Sequence, residues 1–331
     1  MKRFLPAILV ASSAVAQSVA TTPHGIVVAH DHRIELTNGW NVDGVAHPGK
    51  IVAVDDRVAV LDPLDNEAVI VANGVASRFR TGETPIDGLF VDRDLYVLAR
   101  DARMLERIGS DGSRKSIALA ADPAFLREAS GKLYVYSRAA GVLQEVTTTP
   151  FAVARTTRIA PFASAFETNG REAYFVYPRE AKLRLATLAT MQPAGEINAG
   201  AVPVDIAITA PTALTARTLA VADPSAKRVW IVEGNQSFGQ AFARGFLRGL
   251  LGLGLFGSRD SQFPTGIDRV IVSGKRQLAY DSSSGTLYRF TKSKSTVVAQ
   301  GIGPNEFTVA GDGIYVWDRT VRRLHRIAVD E

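Results

Sequence analysis

The stretch that decides the fold begins Pro203-Val204-Asp205-Ile206-Ala207-Ile208. It continues as Thr218-Leu219-Ala220-Val221-Ala222-Asp223 and then Lys227-Arg228-Val229-Trp230-Ile231-Val232. Each segment is short, apolar and partly β-branched, and each is bounded by Pro, Asp or Ser. That pattern specifies strands joined by turns, not a helix. Asp223-Pro224 is a turn dipeptide, because an Asp carboxylate accepts hydrogen bonds from backbone N–H groups ahead of it. A meander of this kind, standing alone, would expose an apolar face and two sheet edges, so it needs neighbours of its own kind.

The neighbours are present. The second strand recurs at 58–62, 95–98, 133–136, 173–177, 219–223, 278–281 and 314–318, typically as Leu-Tyr-Val or Leu-Ala-Val. The preceding anchors start near Val42, Pro85, Pro123, Phe162, Pro203, Pro264 and Pro304. Their spacings of 43, 38, 39, 41, 61 and 40 residues fit, with one exception, the period of a four-stranded blade, roughly 40–45 residues. The expected fold is therefore all-β, a seven-bladed β-propeller. After Pro304 only three strands are predicted, at 307–310, 314–318 and 324–329, so the fourth is expected from the N-terminal region, around 25–36.

The chain begins Met1-Lys2-Arg3, followed by an apolar run from Phe4 to Ala16. Small-x-small cleavage sites precede Gln17 and Thr21. This is the pattern of a secretory signal peptide, placed at 1–20, with the propeller at 21–331; the run is too short to span a bilayer. A periplasmic or secreted location follows as an expectation. Removing the leader lowers the net charge from +5 to +3. The basic residues are scattered with few aromatics among them, so no nucleic-acid partner is expected. The absence of Cys excludes disulfides, thiolate metal sites and a Cys nucleophile.

The segments at 203–208, 218–223 and 227–232 resemble YVTN and NHL-type propeller repeats, with Pro-x-apolar-apolar-Ala, a Val-Ala-Asp strand and a closing Val strand. The copies at Pro85 and Pro264 match more loosely, and those at Pro123 and Phe162 poorly. The resemblance implies a WD40/YVTN-like propeller and leaves activity open, since such folds include binding modules, lyases and lactonases.

Acids stand near the start of five predicted innermost strands: Asp43, Asp87, Asp205, Asp268 and Glu306. Converging on the channel mouth, they would form a negative rim suited to a cationic ligand or to a divalent cation such as Ca²⁺. Alternatively each caps its own turn. A second set, Asp62, Asp223, Asp281 and Asp318, ends the second strands and reads as turn residues. His30 and His32 alternate onto one strand face, a spacing that can bind Zn²⁺ but lacks further ligands, so exposed histidines are expected. No nucleophile elbow or phosphate loop occurs, and neither a resident metal nor a cofactor is expected.

The exceptional 61-residue spacing contains an apolar insertion at 236–260. On a helical wheel Phe238, Phe242, Phe246, Leu253 and Phe256 share one side, with Arg244 and Arg248 opposite. An inserted amphipathic helical segment is therefore expected between blades. Three roles are open to 237–257: a plug over one propeller face, peripheral contact with a membrane surface, or a partner contact. The favoured function is a ligand- or protein-binding scaffold in the cell envelope. The alternative is a metal-dependent, lactonase-like hydrolase using the acidic rim. Whether the chain is an enzyme is left open by its sequence.

Overall fold

Short apolar strands separated by tight turns fold here into consecutive antiparallel meanders. A computed structural model describes residues 19–328, apart from 23, 31, 38, 209–216, 235–258, 274–275, 292–293, 304–305, 311–312, 319–320 and 322. The described strands form seven four-stranded sheets and one three-stranded sheet, all in simple sequential order. These are eight blades: 19–43, 51–80, 85–118, 123–158, 165–198, 205–262, 269–299 and 307–328. Their innermost strands are Val19–Thr22, Ile51–Val54, Pro85–Val91, Pro123–Ala129, Ala165–Thr168, Asp205–Ile208, Arg269–Ser273 and Phe307–Ala310.

The expected seven blades are corrected to eight. Residues 19–43 do not lend a strand to the last blade; they make a complete sheet of their own. Its strands are only three to six residues long. That compressed the repeat below the expected period and concealed a unit. The anchor assigned to Val42 lies on the outermost strand of blade 1, Asn41–Asp43, and blade 2 starts at Ile51 without a Pro. The inserted helical segment is also corrected. Among the described residues there is no α-helix, only a 3₁₀ turn at Pro178–Glu180. Residues 235–258 lie outside the described residues, and from Arg259 the chain is the outermost strand of blade 6. The insertion therefore falls within a blade, between its third and fourth strands, and not between blades.

Burial explains which strands could be read from sequence. The second strand of each blade is covered by both neighbouring blades, so nearly every position is apolar. Leu95, Tyr96, Val97, Leu98 and Ala99 are at most 2% exposed. The outermost strands are mostly exposed and carry no such signal, as in Val75–Arg80 and Gln192–Asn198.

Each of the eight blade-to-blade interfaces holds its own apolar cluster. Between blades 4 and 5, Tyr136, Phe166 and Phe175 stack with ring centroids 5.0–6.4 Å apart. Burying one such ring contributes about 1.5–3 kcal/mol. Leu278 and Tyr280 of blade 7 pack on Phe307 and Ile314 of blade 8. Val19, Ile26 and Val28 of blade 1 pack on Trp317 of blade 8, which closes the ring. Closure between blades 8 and 1 uses side chains, not a shared sheet: Thr21 Oγ1 donates to the Val309 carbonyl at 3.1 Å and meets Thr308 Oγ1 at 3.1 Å. Val19 and Ala20 are buried, so half of the first inner strand precedes Thr21.

The turn aspartates fasten blades to their predecessors. Asp62 accepts from Leu64 N and Asp65 N at 3.0 Å and from His47 N, in the incoming link, at 2.9 Å. Asp223 does the same with Ala226 N at 3.1 Å and Ala201 N at 2.6 Å. Both carboxylates are fully buried. They are fold residues, since each satisfies N–H groups that burial would otherwise leave unpaired.

Candidate functional site

Every inner strand starts on the face of the ring that also carries the inter-blade links and the turns between second and third strands. The inner edge of a blade has no neighbouring strand to pair with, so its N–H groups need side-chain acceptors. Asp87 and Asp205 supply them in the same way. Asp87, on the inner strand of blade 3, accepts from Leu126 N of blade 4 at 2.9 Å. Asp205, on the inner strand of blade 6, accepts from Val270 N of blade 7 at 3.0 Å.

Basic residues complete the arrangement. Lys50 Nζ, at the entry to blade 2, donates to Asp87 at 2.6 Å. Arg127 Nη1, from blade 4, donates to the same carboxylate at 3.2 Å. Its Nε reaches both oxygens of Glu167 of blade 5 at 3.0 Å. Asp87, Arg127 and Glu167 are spaced 40 residues apart, one repeat each. Going round the ring, blades 2 to 7 therefore present Lys50, Asp87, Arg127, Glu167, Asp205 and Arg269: three bases and three acids. Signs alternate except where Glu167 and Asp205 meet.

The electrostatics follow. Burial would raise the Asp87 pKa, but the Lys50 and Arg127 charges with their hydrogen bonds outweigh it and hold the carboxyl below its ordinary range. Burial would lower Arg127, yet Glu167 and Asp87 keep it above its usual value. Asp205 is pushed up to about 6, mainly by burial; the Val270 N–H and the Arg269 charge oppose this, and Glu167 adds to it. Burial also lowers Arg269, against the pull of Asp205. Its guanidinium lies 5.4 Å from the centroid of the Phe307 ring.

The five predicted rim acids do not come together. Asp43 is exposed on the outermost strand of blade 1, far from an inner-strand start. Asp268 turns back to accept from Ser282 N at 3.2 Å and from the Ser282 hydroxyl. Burial raises it despite those bonds. Glu306 is buried and bonds the Gly303 N–H of its own link. Only Asp87 and Asp205 face the inner ring. Asp87 already accepts from Lys50, Arg127, Leu126 N and Gly88 N. These carboxylates do not fit a Ca²⁺ cage, which needs several uncommitted oxygens around one point. The proposed contact residues Phe238, Phe242, Arg244, Phe246, Arg248, Leu253 and Phe256 lie outside the described residues.

His30 and His32 are not on one strand face. His30 sits on the second strand of blade 1 and stacks on Trp317 at 4.6 Å, while His32 occupies the following turn with φ of 64°. A group that sequence reading missed is His47, Asp62 and Asp65, whose ligand atoms lie within 4.8 Å of one another. Both Asp62 oxygens are taken by backbone N–H groups, which marks a turn. Lys50, Arg127, Glu167 and Arg269 were also missed, because none of them stands at the start of a predicted inner strand beside a Pro anchor. The 40-residue register of 87, 127 and 167 was the available signal.

No family model and no curated protein matches this sequence. Solved structures do match in fold. A streptogramin B lyase is 12% identical with a TM-score of 0.59, covering 82% of this chain and 90% of that one. The Pan2 WD40 domain of Neurospora crassa is 13% identical with a TM-score of 0.56, covering 80% and 85%. A chain of a mitotic checkpoint complex is 10% identical with a TM-score of 0.61, covering 100% and 96%. The chain is a β-propeller, in keeping with its resemblance to YVTN and NHL-type repeat proteins.

Proposed function

We propose that this protein is an exported binding module that holds a protein or small-molecule ligand at the charged channel mouth. One observation carries the reading: among the described residues, the inner-ring charges of blades 2 to 7 balance and are largely cross-bonded through Lys50, Asp87, Arg127 and Glu167. Cross-bonded groups are poor general acids and poor metal ligands, but a rigid ring of both signs can orient a polar ligand. A WD40 domain and a chain from a multiprotein assembly share the fold, which is compatible with binding a protein. Export rests on the leader at the N-terminus.

The test is a melting-temperature screen with Ca²⁺, Mg²⁺, Mn²⁺ and Zn²⁺, run beside lactone-hydrolysis assays. The expected result is no metal-dependent shift and no turnover. Metal-dependent turnover that Asp87→Asn abolishes would overturn it. Fusion of the N-terminal residues to a phosphatase active only outside the cytoplasm tests export; an inactive fusion sinks that part. The metal-dependent hydrolase stays as the second reading for one reason. Asp205, at about 6, titrates near the range of a general base. Turnover with a rate that rises through that pH and disappears in Asp205→Asn would favour it.

A further inference from the structure

Six large apolar side chains are exposed among the described residues, and four of them, Leu64, Phe162, Val202 and Val321, lie on the ring face that carries the links and the channel mouth. Phe162 is the aromatic of the set, 60% exposed. It sits at φ of 67°, a conformation that is costly for a bulky side chain. Its link is tied down on both sides. Tyr136 and Tyr177 both donate to the Ala160 carbonyl, at 2.6 and 2.9 Å, and Ala163 N donates to the Tyr136 hydroxyl at 3.1 Å. Phe162 N itself donates to the Arg138 carbonyl at 2.9 Å. Buried bonds thus hold a strained ring out in water, and such strain concentrates at binding sites. Val202 stands one repeat on, 40 residues later, in the next link. There the Asp223 carboxylate fixes the Ala201 and Val202 N–H groups. Ser164 Oγ donates to the Val204 carbonyl at 2.8 Å and joins the two links.

These links lead into Glu167 and Asp205, the step of the ring where two acids are neighbours. Asp205 is placed like Asp87, since each accepts from a backbone N–H of the next blade. Asp87 also holds two bases, Lys50 and Arg127. Asp205 instead has the charge of Arg269 from one neighbouring blade and that of Glu167 from the other. One positive charge fewer stands here than beside Asp87, where Lys50 supplies it. We propose that the link face of blades 4 to 6 docks a segment of a partner protein that bears a lysine between apolar residues. Its apolar side chains cover Phe162 and Val202, and its lysine ammonium enters the mouth between Glu167 and Asp205. Charge selects this occupant: an ammonium completes the alternation of signs, whereas an anionic lipid surface would be set against two acids. The five residues from Phe162 to Glu167 span at most about 18 Å, which an extended segment of about six residues covers. The inference rests on reading the channel mouth as a binding site.

The test selects from a random dodecapeptide library on the full chain and measures the leading peptide by fluorescence anisotropy. Enriched peptides should carry Lys between apolar residues. Asn suits a positive φ, so Phe162→Asn should melt at or above the wild-type temperature while peptide affinity falls about tenfold or more. Replacing the peptide's Lys with norleucine should also cost about tenfold. In Asp205→Asn the same replacement should cost little, because the double-mutant cycle isolates the Lys–Asp205 pair. No enrichment, enrichment without Lys, or a full norleucine loss in Asp205→Asn would overturn the proposal. So would a melting temperature several degrees lower in Phe162→Asn, which would make Phe162 a packing residue. Binding to phosphatidylglycerol vesicles, or a dimer, that Phe162→Asn abolishes would assign the face to another occupant and overturn it too. Peptides weakened by Asp205→Asn but not by Phe162→Asn would overturn this inference and leave the mouth reading standing. Peptides weakened by Phe162→Asn but indifferent to both Asp205→Asn and Glu167→Gln would count against both.

Discussion

Replacing Asp87 with Ala removes the most connected acid of the inner ring. Its carboxylate is 5% exposed and takes hydrogen bonds from the entry to blade 2, from its own blade and from blade 4. The substitution strands Lys50 and Arg127 and leaves the Leu126 N–H without its acceptor. Breaking a buried ion pair costs about 3–5 kcal/mol. Two facts place this case at the lower end. The side chains of Lys50 and Arg127 are 28% and 26% exposed, so water recovers part of their solvation. Arg127 also retains Glu167. The expected loss is thus about 3 kcal/mol, or a fall in melting temperature of about 6 °C at roughly 2 °C per kcal/mol. Asp87→Asn should lose less, because its amide oxygen can still accept from Leu126. The assay is thermal unfolding followed by circular dichroism across pH. Since the folded-state pKa of Asp87 lies below its unfolded value, its stabilisation is complete above about pH 4 and is lost as pH falls through the folded value. The gap between wild type and Asp87→Ala should therefore close in acid. A shift under about 2 °C at neutral pH, or a gap that persists in acid, would refute the assignment of Asp87 as a three-blade tie.

Other perturbations have definite expectations. Tyr136 donates to the Ala160 carbonyl at 2.6 Å and accepts from Ala163 N at 3.1 Å, so Tyr136→Phe should cost about 1–3 kcal/mol in chemical denaturation by orphaning that N–H; an unchanged midpoint would contradict this. Gly200 sits at φ of +90°, and an added Cβ would run into Asp223 Oδ2 and Trp230 Nε1, so Gly200→Ala should lower the melting temperature by several degrees, about 2 kcal/mol or more. Asp205 has a raised pKa, so its neutral form stabilises at low pH and that contribution is lost as pH rises through about 6; Asp205→Asn should melt higher than wild type at pH 7 and match it near pH 4, and the reverse order would exclude the shift. If the N-terminal run is cleaved as a leader, intact-mass measurement should give a start at Gln17, because the strand from Val19 is buried; a start at Thr21 would contradict the packing of that strand against blade 8.

The sequence alone determined that the fold is a ring of β-sheets. Strands such as 95–98 and 133–136 are buried on both faces, so water exclusion forces apolar residues at every position and the repeat stands out. It likewise marked Asp62 and Asp223 as turn residues, because an Asx turn is a local interaction that spans only a few residues. The number of blades was not legible. Blade 1 is built from short strands that lack the Pro anchor, and the outermost strands face water and obey no apolar pattern. The site was read only by half. Acids at 87 and 205 could be placed on inner strands by spacing, but whether a carboxylate turns inward or back onto its own link depends on donors tens of residues away. Asp268 finds Ser282 in its own blade, while Asp87 finds Lys50 and Arg127 in two others. Closure of the ring decides which charges become neighbours, and so tertiary structure alone turned an expected acidic rim into a ring whose described residues in blades 2 to 7 set three acids against three bases.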